Sequence, residues 1–327
     1  MTDESDAKPA AQVELDAQVK PGAQVKPAAK HKKSNALLNV MIAISAIAMI
    51  GALGLIAYPT FSDWWNRMHQ SYAVAGYVEQ NKDMSGAERK AMLKAAHEYN
   101  ERLAANGDRW HMTDAQKREY DETLDVTGTG IMGYVTIPRI KVKLPVYHGT
   151  SDGVLQIAAG HLAGTSLPVG GATTHAVVSG HTGLPSARLL TGLDELQKGD
   201  TFAFHVLDET YTYQVDQISV VLPSEISKLN IESGADYATL ITCTPYGVNS
   251  HRLLVRGHRI PNPKVPDKTQ YDEPGEMTAV AAAVIGLLVF VAGCAFVGLA
   301  RLWRRSWIVR HGLCAGAGAR HSSGVRG

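Results

Sequence analysis

The hydrophobic positions of the chain are concentrated in two long apolar runs that contain no charged residue. The first run extends from Ala36 to Tyr58 and the second from Met277 to Ala300. Each is long enough to cross a hydrocarbon core, which takes about 20 helical residues. Core helices are rarely so uniformly apolar, and a cleaved signal peptide has an apolar stretch of only about 7–15 residues. The pattern predicts transmembrane helices at residues 36–58 and 277–300.

The charged residues outside these runs predict the orientation of the chain in the membrane. Lys30, Lys32 and Lys33 precede the first run, and residues 301–327 carry six Arg and no acidic residue. By the positive-inside rule, both termini are expected in the cytoplasm. Residues 59–276 carry 20 basic and 26 acidic residues and are expected outside the cell membrane. The overall net charge of +1 excludes a nucleic-acid binder driven by bulk positive charge.

Three polar segments complete the membrane-proximal parts of the chain. Residues 1–35 are rich in Ala, Lys, Pro and Gln and are expected to form a disordered cytoplasmic tail, because they could bury little apolar surface. Residues 263–276 have the composition of a Pro-rich tether to the second span. Residues 301–327 form the basic cytoplasmic tail.

Residues 59–132 have the pattern of an extracellular helical segment. A helix is predicted over residues 62–105, and Ser85–Glu88 within it has the spacing of a capping box. Thr113–Gln116 has the same spacing and predicts a short further helix that ends near Asp121. A loop separates the two predicted helices.

From Gly133 onward the pattern changes to short runs of β-branched and aromatic residues separated by Gly, Pro and Asp. Many short strands with few helices between them indicate a closed barrel or a sandwich, and residues 133–262 suffice for one such domain. The expected fold class is therefore mainly β. The predicted strands are Tyr134–Ile140, Leu144–Tyr147, His175–Ser179, Thr201–Leu207, Tyr211–Val221, Thr239–Cys243 and Arg252–Arg259.

The cysteines point to one residue of the outer domain. Cys294 lies in the second apolar run and Cys314 in the inner tail, so only Cys243 is outside. An unpaired thiol in an oxidising compartment is a liability unless it is buried or used. Cys243 ends a predicted strand, and the following Thr244–Gly247 turn can leave it open to a substrate.

Two basic side chains are candidates to act with Cys243. Arg252 opens the next strand nine residues later, and His181 ends an earlier strand. If these strand ends converge, the thiolate can attack a peptide carbonyl, the imidazole can protonate the leaving amine and the guanidinium can bind the oxyanion. Spacing alone leaves the choice open, because a histidine is usually structural and an arginine at a strand start is usually solvated. The other histidines of this domain include His148, His161, His175, His205, His251 and His258.

The segment around the thiol resembles the active-site signature of sortases, in particular the class C, pilin-polymerising sortases of Gram-positive bacteria. It reads Thr239-Leu-Ile-Thr-Cys243-Thr-Pro-Tyr-Gly-Val-Asn-Ser-His-Arg252-Leu-Leu-Val-Arg-Gly257. The resemblance covers roughly residues 90–262, and the two-span topology is also similar to that of class C members. The supporting runs are Gly133–Ile140, Leu144–Thr150, Gly160–Pro168 and Ser179–Pro185.

This resemblance implies a sortase-type closed β-barrel with an N-terminal helical lid segment, flanked by the two transmembrane helices. It implies that Cys243 is the nucleophile, His181 the general acid/base, and Arg252 the oxyanion and substrate-positioning residue. The expected substrate is a Leu-Pro-x-Thr-Gly-like sorting signal, cleaved between Thr and Gly. The expected partners are pilin subunits that carry such signals and acceptor lysines, and no metal or organic cofactor is implied. By the same resemblance, recognition is expected in the segment Leu222–Tyr237.

Class C sortases also resemble one another in a lid loop, usually Asp-Pro-aromatic, in which the acid meets the catalytic arginine and the aromatic ring covers the cysteine. The matching residues here are Asp108-Arg109-Trp110, in the loop between the two helices. The expectation is that Asp108 pairs with Arg252 and Trp110 packs over Cys243. Proline would fix φ near −65°, so arginine in its place implies a lid that is looser or seated differently. The alternative is an ordinary polar loop.

Two alternative functions remain open at the level of sequence. A housekeeping sortase would join surface proteins to a peptidoglycan amine, and a non-catalytic domain would serve as a tethered surface scaffold. The lid-like segment and the second span favour the pilin-polymerising enzyme over the first. The occurrence of a thiol, an imidazole and a guanidinium in one signature favours it over the second. His161 and Thr242, although close to these motifs, are expected to have structural roles.

Overall fold

In the computed structural model the described residues are 36–184, 186–264, 269, 271, 282–283, 285–298 and 301. The expected tails at residues 1–35 and 301–327 therefore lie outside the described residues, apart from residue 301, as does most of the expected tether at 263–276. The described chain consists of an N-terminal helical part followed by a β domain. Its longer helices are α1 (Ala36–Asp83), α2 (Gly86–Ala105), α3 (Asp114–Glu122) and α4 (Asp152–Ile157), and single 3-10 turns occupy Pro138–Ile140, Leu193–Glu195 and Ser227–Leu229.

Both predicted capping boxes are present. The Ser85 hydroxyl accepts from the Glu88 N–H while the Glu88 carboxylate accepts from the Ser85 N–H, and Thr113 with Gln116 repeats the arrangement. The single helix predicted over residues 62–105 is two helices, because the box at Ser85 starts a new helix after α1 ends. Each box satisfies two N–H groups that a helix start would otherwise leave without partners.

Helix α1 continues without a break from the first apolar run to Asp83. Its part from Val40 to Asp83 is the one helix of the described residues that is long and apolar enough to cross a membrane, with a mean hydropathy of 2.5 over its most apolar window. In the second predicted span, the described residues include a shorter apolar helix, Ile285–Gly298. The two-span topology is therefore not confirmed.

The β domain is a closed barrel, which decides between the two architectures that the sequence left open. Its strand order is β1-β2-β3-β4-β7-β8-β6-β5, with parallel pairs between β2 and β3 and between β4 and β7. Only β3 was missed by the sequence pattern, since its three residues are too few to show alternation. The strands are β1 (Ile131–Ile137), β2 (Val142–His148), β3 (Ala159–His161), β4 (Thr174–Ser179), β5 (Thr201–Val206), β6 (Glu209–Val221), β7 (Asp236–Thr244) and β8 (His251–Arg259).

The helices are fixed to the barrel through buried polar contacts as well as apolar packing. The Tyr77 hydroxyl of α1 donates to the Met132 carbonyl at 3.3 Å and accepts from the Leu207 N–H at 2.7 Å. The Asn100 side chain of α2 both donates to the Leu167 carbonyl and accepts from the Leu167 N–H. Each contact satisfies groups that burial would otherwise leave unpaired, which costs roughly 1–3 kcal/mol per group. These contacts fix α1 and α2 against the barrel.

Candidate active site

Cys243 lies opposite Arg252 on two neighbouring antiparallel strands. The two residues are direct partners in the register of β7 and β8. Side chains of β7 are buried from Ala238 to Thr242 and half-buried at Cys243, so the thiol lies where the strand leaves the core. Facing residues of an antiparallel pair have Cβ atoms about 4.5–5.5 Å apart. The nine-residue spacing therefore places Arg252 beside Cys243 across the strand pair.

His181 lies at the same end of the sheet, on the other side of β7. Strand β4 runs parallel to β7, and the N–H of Gly180 donates to the Ile241 carbonyl at 3.0 Å. The Thr242 hydroxyl donates to the Gly180 carbonyl at 2.8 Å. These two bonds hold the backbone just before His181 against the strand that carries Cys243. Thr242, which was expected only to pack, is buried and also makes this contact.

The three candidate residues line one cavity of about 410 Å³. Most of its wall is apolar, and an aromatic side chain of the lid loop closes one side. A larger cavity of about 660 Å³ lies against β1, β5 and β6 and is lined by none of the three. The apolar residues of the 410 Å³ cavity include Trp110, Leu155, Leu162, Val221, Leu222, Ile226, Leu229, Ile241 and Leu254.

The Arg252 guanidinium is held by backbone oxygens. Its Nη1 donates to the carbonyl of Asn249, in the turn between β7 and β8, at 3.2 Å and to that of His251, the first residue of β8, at 3.1 Å. Among the described residues, no carboxylate lies within ion-pair distance of Arg252. Its remaining N–H groups and its full charge are therefore available to an anion or a carbonyl oxygen in the cavity.

The lid loop contacts the cavity differently from the sequence expectation for Asp108. The Asp108 carboxylate pairs with the Nδ1 of His111 at 2.8 Å, and both side chains are exposed. The expected ion pair between Asp108 and Arg252 is therefore wrong for this structure. The local partner three residues along the chain holds the carboxylate in solvent. Trp110, the other expected lid residue, lines the same cavity as Cys243.

Arg109 is the most firmly held side chain of the lid loop. The sequence marked it only as an arginine at the position where class C sortases usually have proline. It is 8% exposed and donates to the carbonyls of Gly164 at 3.2 Å and Leu229 at 3.0 Å. It also donates to Asn230 Oδ1 at 3.3 Å. The lid is thus seated by Arg109. The charged residue at the proline position was the one sequence feature that indicated an unusual contact here. Its partners lie 55 and 120 positions away, so the local sequence pattern could not identify them.

Two other histidines of the domain are structural. His161 is fully buried, and its Nε2–H donates to the Ser166 carbonyl at 2.8 Å while its Nδ1 accepts from the Tyr120 hydroxyl at 2.9 Å. Burial lowers the pKa of His161 to about 4, so the ring is neutral at physiological pH. His175 is also buried, donates to the Asn230 carbonyl, and has a pKa lowered by desolvation. The structural role expected for His161 is confirmed.

The described part of the chain contains no cluster of three or more His, Cys, Asp or Glu side chains arranged to hold a metal ion. The reactive side chains that line the 410 Å³ cavity include those of Cys243, His181 and Arg252. A thiol at a strand end, an imidazole and a cationic guanidinium are the set needed for nucleophilic attack on a carbonyl, proton transfer to the leaving group and oxyanion stabilisation.

Comparison with known proteins places the barrel in one family. Residues 135–260 match the sequence model of the Sortase domain. Among curated proteins, sortase A of Streptococcus agalactiae is 29% identical over 117 residues, which cover 35% of this chain and 47% of the relative. The chain thus spans about half the length of that relative, and it spans 69% of sortase A of Bacillus anthracis, at 26% identity over 44% of this chain.

Solved structures give a fuller match. Sortase C1 from Streptococcus agalactiae is 51% identical with a TM-score of 0.58, covering 59% of this chain and 100% of that one. Sortase C from Streptococcus pneumoniae is 45% identical with a TM-score of 0.53, and the match covers 58% of this chain and 97% of that one. Its structure was described in relation to catalysis and pilin substrate specificity. Sortase C from Clostridium perfringens, solved with the C-terminal cell wall sorting motif, is 40% identical with a TM-score of 0.52, covering 59% and 100%.

Proposed function

The chain belongs to the sortase family, with class C sortases as its structural neighbours, and on this premise we propose that it is a membrane-anchored cysteine transpeptidase that polymerises pilins. The observation that carries the proposal is the convergence of Cys243, His181 and Arg252 on one cavity at the end of β7. A purely structural role would not require a thiol, an imidazole and an unpaired guanidinium to meet there.

In the proposed mechanism Cys243 attacks the threonine carbonyl of a Leu-Pro-x-Thr-Gly-like signal. The sulfur–carbon bond forms as the thiolate adds, and the carbonyl oxygen takes the negative charge, which the Arg252 guanidinium stabilises. His181 then protonates the glycine nitrogen as the carbon–nitrogen bond breaks, leaving a thioester on Cys243. The neutral amine of a pilin lysine then attacks that thioester and gives one proton to His181, and the carbon–sulfur bond breaks to release Cys243 as the thiolate, which restores the starting protonation of both residues.

The wall of the cavity supports a substrate of this kind. Its apolar side chains, including Leu162, Val221 and Leu254, fit the leucine and proline of such a signal, because burying an aliphatic side chain contributes about 1.5–3 kcal/mol. The connection between β6 and β7, within Leu222–Tyr237, supplies further wall residues and is where we place sequence preference. The Clostridium perfringens neighbour was solved with a cell wall sorting motif, and the pneumococcal neighbour bears on pilin specificity.

We further propose the topology that the charge pattern predicts, with helices at residues 36–58 and 277–300 crossing the membrane. In this arrangement the barrel at 133–262 and the helical segment at 59–132 lie outside the cell membrane. The tails at 1–35 and 301–327 are then cytoplasmic. The apolar length of α1 and the basic residues beside both apolar runs support it.

The alternative is a housekeeping sortase that anchors proteins to a peptidoglycan amine, and the similarity to two sortases A is the observation that favours it. The acceptor amine separates the two. The full-length protein in detergent is given a sorting-signal peptide together with equal amounts of a lysine-bearing pilin peptide and a peptidoglycan stem peptide, with Cys243→Ala as the control.

We expect the mass of an isopeptide product with the pilin lysine, and no product from the Cys243→Ala variant. A product formed with the stem peptide alone would favour the housekeeping alternative. Absence of any product from the wild-type protein would contradict transpeptidation.

A further inference from the structure

Arg109 links the lid loop to the opposite wall of the cavity. We propose that it is a positioning residue whose guanidinium clamps Trp110 against the segment Leu229–Asn230 and so sets access to Cys243. This inference rests on the proposed function only in taking the 410 Å³ cavity as the substrate cleft. Access to the thiol is a separate property and can be measured without any substrate.

The seat of Arg109 is formed by neutral oxygens from two separate parts of the barrel. Gly164, in the connection between β3 and β4, offers one carbonyl, and Leu229 with Asn230, between β6 and β7, offers a carbonyl and an amide oxygen. Within the described residues no carboxylate pairs with Arg109, and burial lowers its pKa. Hydrogen bonds from a charged donor are stronger than those between neutral groups, so these three bonds hold Arg109 firmly but reversibly.

Trp110 is held by the same side chain. The Arg109 guanidinium lies over the Trp110 ring at 4.5 Å from its centroid, in a cation–π contact. The ring itself packs against a small apolar cluster next to the main core, formed by Val177, Leu229, Ile241 and Leu254. If Arg109 left these partners, Trp110 would lose the guanidinium that covers one face of its ring. Because that ring forms part of the wall of the cleft, the wall itself would be less firmly held.

Gly164 permits this close approach of the lid loop to the barrel. A Cβ at that position would lie 2.5 Å from the Arg109 carbonyl oxygen and 3.1 Å from Trp110 Cε3, and the residue has φ +85°. Only glycine adopts that backbone conformation at little cost. The loop and its seat are thus fitted to each other at the backbone as well as through the guanidinium.

The clamp leaves Arg252 out of the lid contact. Asp108 is exposed and bound to His111, while Arg252 is bound to the backbone carbonyls of Asn249 and His251. The lid loop is therefore held by the contacts of Arg109 with the cleft wall and not by Asp108. Removing the charge of Asp108 should not release the loop. Arg109 and Asp108 are therefore distinguishable by substitution.

The test is the rate at which iodoacetamide alkylates Cys243 in the full-length protein in detergent, read by mass spectrometry of the peptide that contains it. Peptide-level detection separates Cys243 from Cys294 and Cys314. Arg109→Ala is expected to raise this rate about tenfold, because the lost bonds shift the loop toward open conformations. Arg109→Lys keeps the charge without the planar fork and should give an intermediate rate.

Two substitutions serve as matched controls. Arg102→Ala, on α2, removes an exposed ion pair with Glu119 and should leave the alkylation rate within about twofold, since exposed ion pairs contribute little. Asp108→Asn should also leave it within about twofold. If Arg109→Ala lowers stability too far for comparison, Asn230→Ala removes one partner of the clamp and should raise the rate severalfold.

An unchanged rate in both Arg109→Ala and Asn230→Ala, or an equal increase in Asp108→Asn, would overturn the proposal. Because alkylation needs neither a sorting signal nor an acceptor amine, this result is independent of the proposed function. A protein that fails to transfer peptide yet shows the expected alkylation pattern would keep the clamp and lose the transpeptidase assignment.

Discussion

The hydroxyl of Thr242 donates a hydrogen bond of 2.8 Å to the carbonyl of Gly180, the residue before His181. Thr242 is also the residue before Cys243, so one bond ties the backbones of the proposed nucleophile and the proposed acid/base to each other. Thr242 and Gly180 are both buried, so the bond between them is protected from competing water. The relative position of the thiol and the imidazole therefore depends on a side chain that takes no part in the chemistry itself.

Replacing Thr242 with Val tests this tie. The valine has nearly the same shape but leaves the buried Gly180 carbonyl without this partner, which should cost about 1–3 kcal/mol of unfolding free energy. The acylation rate with a sorting-signal peptide should fall by about tenfold while alkylation of Cys243 stays within about threefold. Thr242→Ser keeps the hydroxyl and should retain most of the acylation rate. Equal losses in both variants would show that packing, rather than the bond, matters at this site.

Arg252→Lys tests the proposed oxyanion role. Lysine keeps the charge but lacks the planar fork that the Asn249 and His251 carbonyls hold in place. Loss of a positioned oxyanion donor typically lowers a rate by about 100–1,000-fold, so single-turnover acylation should fall by at least about 100-fold. Arg256→Lys is the matched control on the same strand, since Arg256 pairs with Asp216, and its acylation rate should change little. A lysine variant that retained wild-type acylation would contradict the role.

The buried His161 predicts a defined pH dependence of stability. Its pKa is about 4 in the folded protein and near 6.5 in the unfolded chain. The unfolded state therefore binds a proton between pH 6.5 and 4 that the folded state does not. The contribution of this residue to stability is present above pH 6.5 and is lost as the pH falls to 4, by roughly 3 kcal/mol.

His161→Gln checks this dependence by chemical denaturation at several pH values. The variant should be less stable at pH 7, because it loses contacts with Tyr120 and Ser166. The decrease in its unfolding free energy between pH 6.5 and 4 should be smaller than that of the wild type by roughly 3 kcal/mol. His175 remains in both proteins, so its contribution cancels in the difference. Parallel curves for the two proteins would count against a neutral, buried His161.

Helix α1 is predicted to support the loop that follows His181. The Asn66 side chain donates to the Ser186 carbonyl at 2.7 Å, and the Asp63 carboxylate accepts from the Arg188 N–H at 2.8 Å. The double variant Asp63→Ala, Asn66→Ala should speed hydrogen exchange at the Arg188 amide about tenfold and lower the acylation rate severalfold. Lys82→Ala removes an exposed contact farther along the same helix and should change neither. Unchanged exchange in the double variant would contradict the support.

Most of the barrel could be predicted from sequence because its strands alternate or end at clear turn residues. The register of β7 and β8 agrees with the spacing of nine positions from Cys243 to Arg252, which leaves only residues 245–250 for the connection between the two strands. Strand β3 and helix α4 were missed, since elements of three and six residues carry too few positions to show a period. The helix predicted over residues 62–105 is interrupted after Asp83, and the capping box at Ser85 is the sequence feature that marks this break.

For the candidate site as well, some features follow from the local sequence and others depend on tertiary contacts. Cys243 and its strand-end neighbours follow from local pattern and from the resemblance. The partner of Asp108 and the seat of Arg109 depend on tertiary packing, because His111 offers a nearer partner to the carboxylate and the Arg109 oxygens come from distant loops. The resemblance to class C sortases located the lid segment in the sequence. It could not predict the contacts of Arg109, because the family usually has proline at that position.

The central claim, that Cys243 is an acylating nucleophile, is tested most directly by trapping the thioester. The full-length protein in detergent is incubated with a Leu-Pro-x-Thr-Gly-containing peptide without an acceptor amine, and its mass is measured after acid quench. The account predicts an increase equal to the acyl fragment ending in threonine, located on the peptide that contains Cys243 and absent from Cys243→Ala. No adduct in the wild type, even with Trp110→Ala to open the cleft, or an adduct that persists in Cys243→Ala, would contradict it.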